Sequence, residues 1–211
     1  MKSIGKLLLA LLTLSAAPSF GATGMFGSFL FVDTNQSGGF TSSEYYGANE
    51  PDPDTLAALS GANFGSFTQG SSVIIAGEVL TYKNSGGDVY GGNVNWRVYS
   101  SGSPSGSYNV FALGWTSDAT FGAADGQTFS GSGDQKWAQS ASTPNILSGL
   151  TPGNYSLEVY FDGTGNEGTF YNNNSGNNFV SNFSVVAAPE PSKALFAGLG
   201  LGTLLLRRRR K

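Results

Sequence analysis

The 211-residue sequence contains no cysteine and no histidine, while glycine contributes thirty-one residues and charged side chains only 12%. These absences exclude disulfide scaffolds, thiolate zinc sites, Cys nucleophiles and His-based triads, so carboxylate-pair hydrolysis is the main enzymatic route left. The overall charge of −3 averages unlike parts: between Ala22 and Ala188 only Lys83, Arg97 and Lys136 face thirteen acidic residues, a net −10. Such a body repels phosphate backbones, which argues against nucleic acid and leaves divalent cations and neutral glycans as partners.

Lys2 and Lys6 precede the apolar run Leu7 to Leu14, and small residues follow. Charged, apolar and small-residue regions in that order form a secretory signal peptide over residues 1–21, with Ser19 and Gly21 at the small positions before the cut. The chain is expected to be exported. The 167 residues from Ala22 to Ala188 then suit one domain, since single domains commonly run to roughly 100–200 residues.

Within that body the pattern changes to short β-like runs broken by Gly, Ser, Asn and Asp. Phe29-Leu30-Phe31-Val32 is the first strand, with Phe40 to Tyr46 as its pairing partner across a turn. The intervening segment, Asp33 to Glu44, places oxygen-bearing or glycine residues where the calcium loop of an EF-hand has them: Asp33, Asn35, Ser37, Gly38, Thr41 and Glu44. Asp33, Asn35, Ser37 and Glu44 are therefore candidate calcium ligands. Against this stand the flanks, which are β-like on one side and rich in Gly and Ser, and a polar hairpin turn explains the same residues without a metal. Asp52 to Leu59 is expected to form one capped helical turn.

Val73 to Tyr82 reads as a long strand whose central Gly77 marks a bulge or sharp bend. Asn93 to Tyr99 alternates: Val94, Trp96 and Val98 face a core, and Asn95, Arg97 and Tyr99 face outward. Tyr108 to Trp115 is a further strand, with Val110 and Leu113 expected inside. Thr116 to Ser142 is Gly/Ser-rich, with weak strands near Thr128-Phe129 and Lys136-Trp137-Ala138, and long connections of this kind commonly carry function. Leu147-Ser148-Gly149-Leu150-Thr151-Pro152-Gly153-Asn154-Tyr155 is a tight turn feeding the alternating strand Tyr155 to Phe161, in which Leu157, Val159 and Phe161 share a face. Asn172 to Gly176 is expected at the tip of the last hairpin, and Phe179 to Val186 closes the sheet. The oxygen-rich Asp162 to Glu167 is expected to be a solvated turn.

About seven or eight short strands without a long helix predict an all-β fold, an antiparallel β-sandwich. The turn before Tyr155 resembles the tyrosine corner of immunoglobulin-like and fibronectin-type sandwiches. By its Tyr82-Lys83-Asn84, Trp96-Arg97-Val98-Tyr99 and Gly149-Leu150-Thr151-Pro152-Gly153 segments, the body from Val73 to Val186 resembles the β-sandwich modules of secreted bacterial proteins. That resemblance implies a hydrogen bond from the Tyr155 hydroxyl to backbone near the turn, and it implies no single activity. Two kinds of binding chemistry are open within the body. Trp115, Trp137, Tyr90 and Tyr99 could form a sugar-stacking platform or belong to core and scattered surface. Glu78, Glu158 and Asp162 are the strand-associated carboxylates a glycosidase would need to bring together, but solvated outer-face charges are the better account of them.

Residues 189–211 have a composition of their own. Pro189-Glu190-Pro191-Ser192 is followed by the thirteen-residue apolar run Ala194 to Leu206 and then by Arg207, Arg208, Arg209, Arg210 and Lys211. As a helix the run would span ~20 Å at 1.5 Å per residue, short of the ~30 Å hydrocarbon core, so it predicts a short transmembrane helix that holds poorly alone. The terminal cations keep that end cytoplasmic, which agrees with export of the body. This three-part segment resembles the PEP-CTERM sorting signal of exopolysaccharide-producing Gram-negative bacteria. The resemblance implies export machinery and an exosortase-like membrane protease as partners. It also implies an inner-membrane-tethered precursor, followed by delivery to the cell surface or an extracellular matrix associated with exopolysaccharide.

Three regions result: a signal peptide at 1–21, a β-sandwich at 22–188 and a sorting segment at 189–211. The expected function is a non-enzymatic structural or adhesive protein of the cell surface or polymer matrix, with no cofactor unless calcium. A carbohydrate-binding module, with or without calcium, is the alternative, and a glycan hydrolase the third reading.

Overall fold

A computed structural model describes residues 22–48, 56–139 and 144–189. The signal peptide, the sorting residues Glu190, Pro191 and Ser192, the apolar run and the cations Arg207 to Lys211 lie outside these residues. Among those described, no helix is long and apolar enough to cross a membrane.

The described residues form thirteen strands and two single turns of 3-10 helix. The strands are β1 (Thr23–Val32), β2 (Tyr45–Gly47), β3 (Ala57–Ala58), β4 (Asn63–Thr68), β5 (Ile75–Lys83), β6 (Val89–Ser100) and β7 (Asn109–Asp118). They continue with β8 (Phe121–Gly122), β9 (Thr128–Phe129), β10 (Asp134–Gln139), β11 (Gly153–Gly165), β12 (Gly168–Asn172) and β13 (Phe179–Val186). The fold is all-β. Of the expected helical turn, residues 52–55 lie outside the described chain, and Ala57–Ala58 form strand β3 parallel to Tyr46 and Gly47.

Eleven strands share one hydrogen-bonded sheet in the order β3-β2-β1-β5-β10-β7-β6-β11-β13-β4, with β12 on β11; β8 and β9 pair separately. Strand β7 is the crossing point. Its first half pairs with β6, from Asn109 opposite Trp96 to Leu113 opposite Gly92, and its second half pairs with β10, from Gly114 opposite Ala138 to Asp118 opposite Gln135. The sheet therefore curls and brings β5 against β6 and β1 against β11. Pairing is antiparallel except for β2 with β3 and β13 with β4.

The apolar pattern explains the curl. Leu30, Val32, Ile75, Val79, Val94, Leu157, Val159 and Phe161 fill the space between the two halves. On the opposite face of β1 and β5, Phe29, Phe31, Ala76 and Leu80 form a second cluster, covered by Phe121 of β8 and flanked by Phe40, Tyr45 and Phe129. This two-sided burial accounts for the unbroken run Phe29-Leu30-Phe31-Val32, because a strand covered on both faces needs no polar alternation. Gly77 marks a close approach of the two halves, with its neighbours in unbroken register with β1. A Cβ there would lie 2.7 Å from Val94 Cγ2, a distance a packed core cannot accept without moving.

The long hairpin of β11 turns at Asn166 and Glu167, between Gly165 and Gly168. Its return arm is β12 followed by β13, both paired with β11 and joined through a 3-10 turn at Asn174–Gly176. Asn172 to Gly176 is thus a jog within that arm, and Asp162 is a strand residue. Upstream, the Tyr155 hydroxyl donates to the Thr151 carbonyl at 2.8 Å, a bond to backbone near the turn as the resemblance implies.

Candidate binding surfaces

The turn from Asp33 to Glu44 does bring its two carboxylates to one loop, between β1 and a 3-10 turn at Ser42–Glu44. Both are buried. Asp33 Oδ1 accepts the Ser37 amide at 2.8 Å and Oδ2 the Gly38 amide at 2.8 Å; Asn35 Oδ1 also accepts the Ser37 amide at 2.8 Å. Glu44 Oε1 takes the Asn35 amide at 2.9 Å and the Thr34 hydroxyl at 3.1 Å, while Oε2 takes the Thr41 amide at 3.0 Å and hydroxyl at 2.9 Å. Burial pushes the Glu44 carboxyl up, but the Asn35 and Thr41 bonds outweigh it and hold the group below its ordinary range. The loop's own donors thus occupy the oxygens a cation would use. Among the described residues, no three acidic side chains are grouped to hold a metal.

The four aromatic residues weighed for a sugar platform share no exposed surface: Trp115 and Trp137 are partners across β7 and β10, but Trp137 and Tyr99 are buried. Trp137 is a core residue whose Nε1 donates to Thr81 Oγ1 at 3.1 Å, and Tyr99 is buried with the Arg97 guanidinium 5.5 Å from its ring centre. Trp115 and Tyr90 are more than half exposed. The three carboxylates also stay apart. Glu78 lies on β5, in the other half of the sheet, while Glu158 and Asp162 share the outer face of β11 four residues apart. At ~3.3 Å per residue that is ~13 Å along the strand, wider than the ~5–10 Å of a glycosidase pair.

Glu78 is buried and ion-paired with Lys136 Nζ at 2.8 Å. Its Oε1 accepts the Ala124 amide at 3.0 Å, and Lys136 donates to the Gly122 carbonyl at 2.7 Å, so the pair fastens the Gly-rich connection over the sheet. Beside it is a 400 Å³ cleft lined by Phe31, Tyr45, Thr116 and Ala123. Burial pushes the Glu78 carboxyl up in spite of Lys136.

A second polar constellation joins β6 and β11. Their register sets Arg97 opposite Glu158, Asn95 opposite Tyr160 and Asn93 opposite Asp162. Glu158 Oε2 accepts Nε and Nη2 of Arg97 at 2.9 and 2.7 Å. Its Oε1 accepts the Tyr108 hydroxyl and, at 2.7 Å, Asn178 Nδ2, which also donates to Tyr108 Oη at 2.7 Å. Burial raises the Glu158 carboxyl, but the bonds from Tyr108, Asn178 and Arg97 hold it below its ordinary range. Burial and then the Glu158 bond push the Tyr108 phenol up to about 12. The guanidinium of Arg97 lies 4.5 Å from the centre of the Tyr108 ring.

From this anchor an aromatic row runs across the face. Tyr108 meets Tyr160 edge-on at 5.0 Å between centroids, and Tyr160 meets Tyr171 of β12 at 6.3 Å. Tyr171 is 58% exposed. Next to it Asp162 accepts Asn93 Nδ2 and Asn95 Nδ2, each at 2.6 Å. Sequence reasoning placed Asn95, Arg97 and Glu158 on outer faces but did not assemble the cluster. Alternation in the two strands carried half of the signal, and the register that joins them carried the rest.

Curl and polar-aromatic face together define an all-β body with a tyrosine row on its outer surface. No known protein family, curated protein or solved structure matches the chain.

Proposed function

We propose that this chain is an exported, non-enzymatic protein of the cell surface or extracellular polymer matrix, delivered through its PEP-CTERM-like segment. The observation that carries the reading is the ordered sequence of Pro189-Glu190-Pro191-Ser192, the apolar Ala194 to Leu206 and the cations Arg207 to Lys211. Residues 1–21 direct export, the cations hold the far end on the cytoplasmic side, and the short helix tethers the precursor until an exosortase-like protease acts. Two features of the body support this order of events. Its last ladder contact is Val186 opposite Thr68, and Ala187 to Pro189 are exposed beyond it, so a protease meets chain that no strand protects. At the other end β1 starts at Thr23, directly after Ala22, whose carbonyl accepts the Asn84 amide at 2.8 Å. We read the curled sheet as an immunoglobulin-like sandwich whose halves are joined through β7, with the Tyr155 corner in support.

The test is removal of residues 189–211, or of the exosortase, followed by fractionation. The reading predicts that the body changes compartment. An unchanged distribution in both cases overturns the sorting role.

A further inference from the structure

Beyond delivery, and independently of it, we infer that the outer face of β6 and β11 binds a neutral polysaccharide, with Tyr160 and Tyr171 as stacking rings and Asn93 and Asp162 as hydroxyl-binding groups. A pyranose ring has an apolar C–H face and a rim of hydroxyls, so its receptor needs aromatic surface beside fixed donors and acceptors. That combination occurs here. Tyr171 exposes more than half its surface, its ring is 6.3 Å from Tyr160, and in the sheet register it lies opposite Asp162, which lies opposite Asn93.

The array is also held in place before any ligand arrives. Tyr160 packs against Tyr108, and Tyr108 is fixed by Glu158 and Asn178 and stacked by Arg97. The two 2.6 Å bonds from Asn93 and Asn95 fix the Asp162 carboxylate. Binding to such a surface orders few side chains, which removes part of the entropic cost of association.

Charge selects the ligand class. Each of the body's basic residues is engaged: Lys83 with Asp88, Arg97 with Glu158 and Lys136 with Glu78. None is left to meet a sulfate, phosphate or uronate, and the net −10 of residues 22–188 repels them. A protein partner fits less well, because interface cores are depleted of charge whereas this face has a carboxylate at its centre. The site is an open sheet surface, which suits an extended polymer more than a single sugar.

Affinity electrophoresis of the purified mature protein, through gels containing soluble β-glucan, mannan, galactan or the anionic alginate, tests this. Retardation by at least one neutral polymer is expected, none by alginate, with about tenfold weaker binding for Tyr171→Ala. Trp115→Ala, which removes an exposed ring outside the face, serves as control and should bind as the parent does. Circular dichroism verifies that both variants keep the β fold. Absence of retardation by every neutral polymer, retardation by alginate alone, or neutral-polymer binding undiminished in Tyr171→Ala overturns the proposal. None of these outcomes touches the sorting test, which reads compartment and needs no ligand.

Discussion

Single residues carry much of the specificity of this fold, and buried carboxylates do so with opposite pH signatures. Asp33 holds two backbone amides inside the first turn. Its loss leaves those donors unpaired, and Asp33→Ala should cost about 1.5–3 kcal/mol, the range for hydrogen bonds to charged groups. Urea denaturation with calcium and with a chelator checks this: the account predicts equal parent stability in both, and a calcium-dependent gain abolished by Asp33→Ala would show a cation displacing the amides. Glu158 titrates below its ordinary range in the folded protein. A depressed acid contributes stability that is present above its unfolded value, near 4.3, and lost as pH falls through the folded value. Melting temperatures from pH 7 to pH 3 should therefore show a shallower acid decline for Glu158→Gln than for the parent. Equal slopes would remove Glu158 from the acid response. Glu78 has the opposite sign, since burial raises it, and its contribution fades as pH rises.

At the scale of elements, alternation made several strands legible. Asn93 to Tyr99 lies within β6, Tyr155 to Phe161 lies within β11, and Phe179 to Val186 is β13 itself. Where hydrophobic period and turn chemistry coincide, local sequence is enough. The turn before Tyr155 is the clearest case, because its side chain does what the motif implies. Tyr155→Phe removes the bond to Thr151 O and should cost about 0.5–1.5 kcal/mol, measured by chemical denaturation; no change would make that bond energetically idle. Elements with divided loyalties were not legible. Val110 was expected inside, yet it lies opposite Asn95 on the outer face and is 59% exposed, while Leu113 points inward opposite Gly92. Strand β7 changes partner halfway, and nothing local records that. The Gly-rich connection after it gave only weak strands, because its hairpin of Phe121 and Phe129 is held by a second cluster around Phe29 and Phe31.

For the whole molecule, local pattern defined the class and register defined the surface. Short strand-like runs broken by Gly, Ser, Asn and Asp turns, without a long helix, predicted an all-β fold, and the described residues have one. The binding face was less legible, since Arg97 and Glu158 are 61 residues apart and meet only through the pairing of β6 with β11. Of the aromatic residues weighed in the sequence, Trp115 and Trp137 are direct partners across β7 and β10, yet the first is a surface ring and the second a core ring. The tail stands apart from this, because its three parts are read in order along the chain and need no tertiary structure. The central claim, that the protein is exported and then trimmed at this segment, is tested most directly by intact mass spectrometry of the mature protein from fractionated cells. The account predicts a surface or extracellular species that begins at Ala22 and lacks the basic residues Arg207 to Lys211; a species retaining either residues 1–21 or those five cations would contradict it.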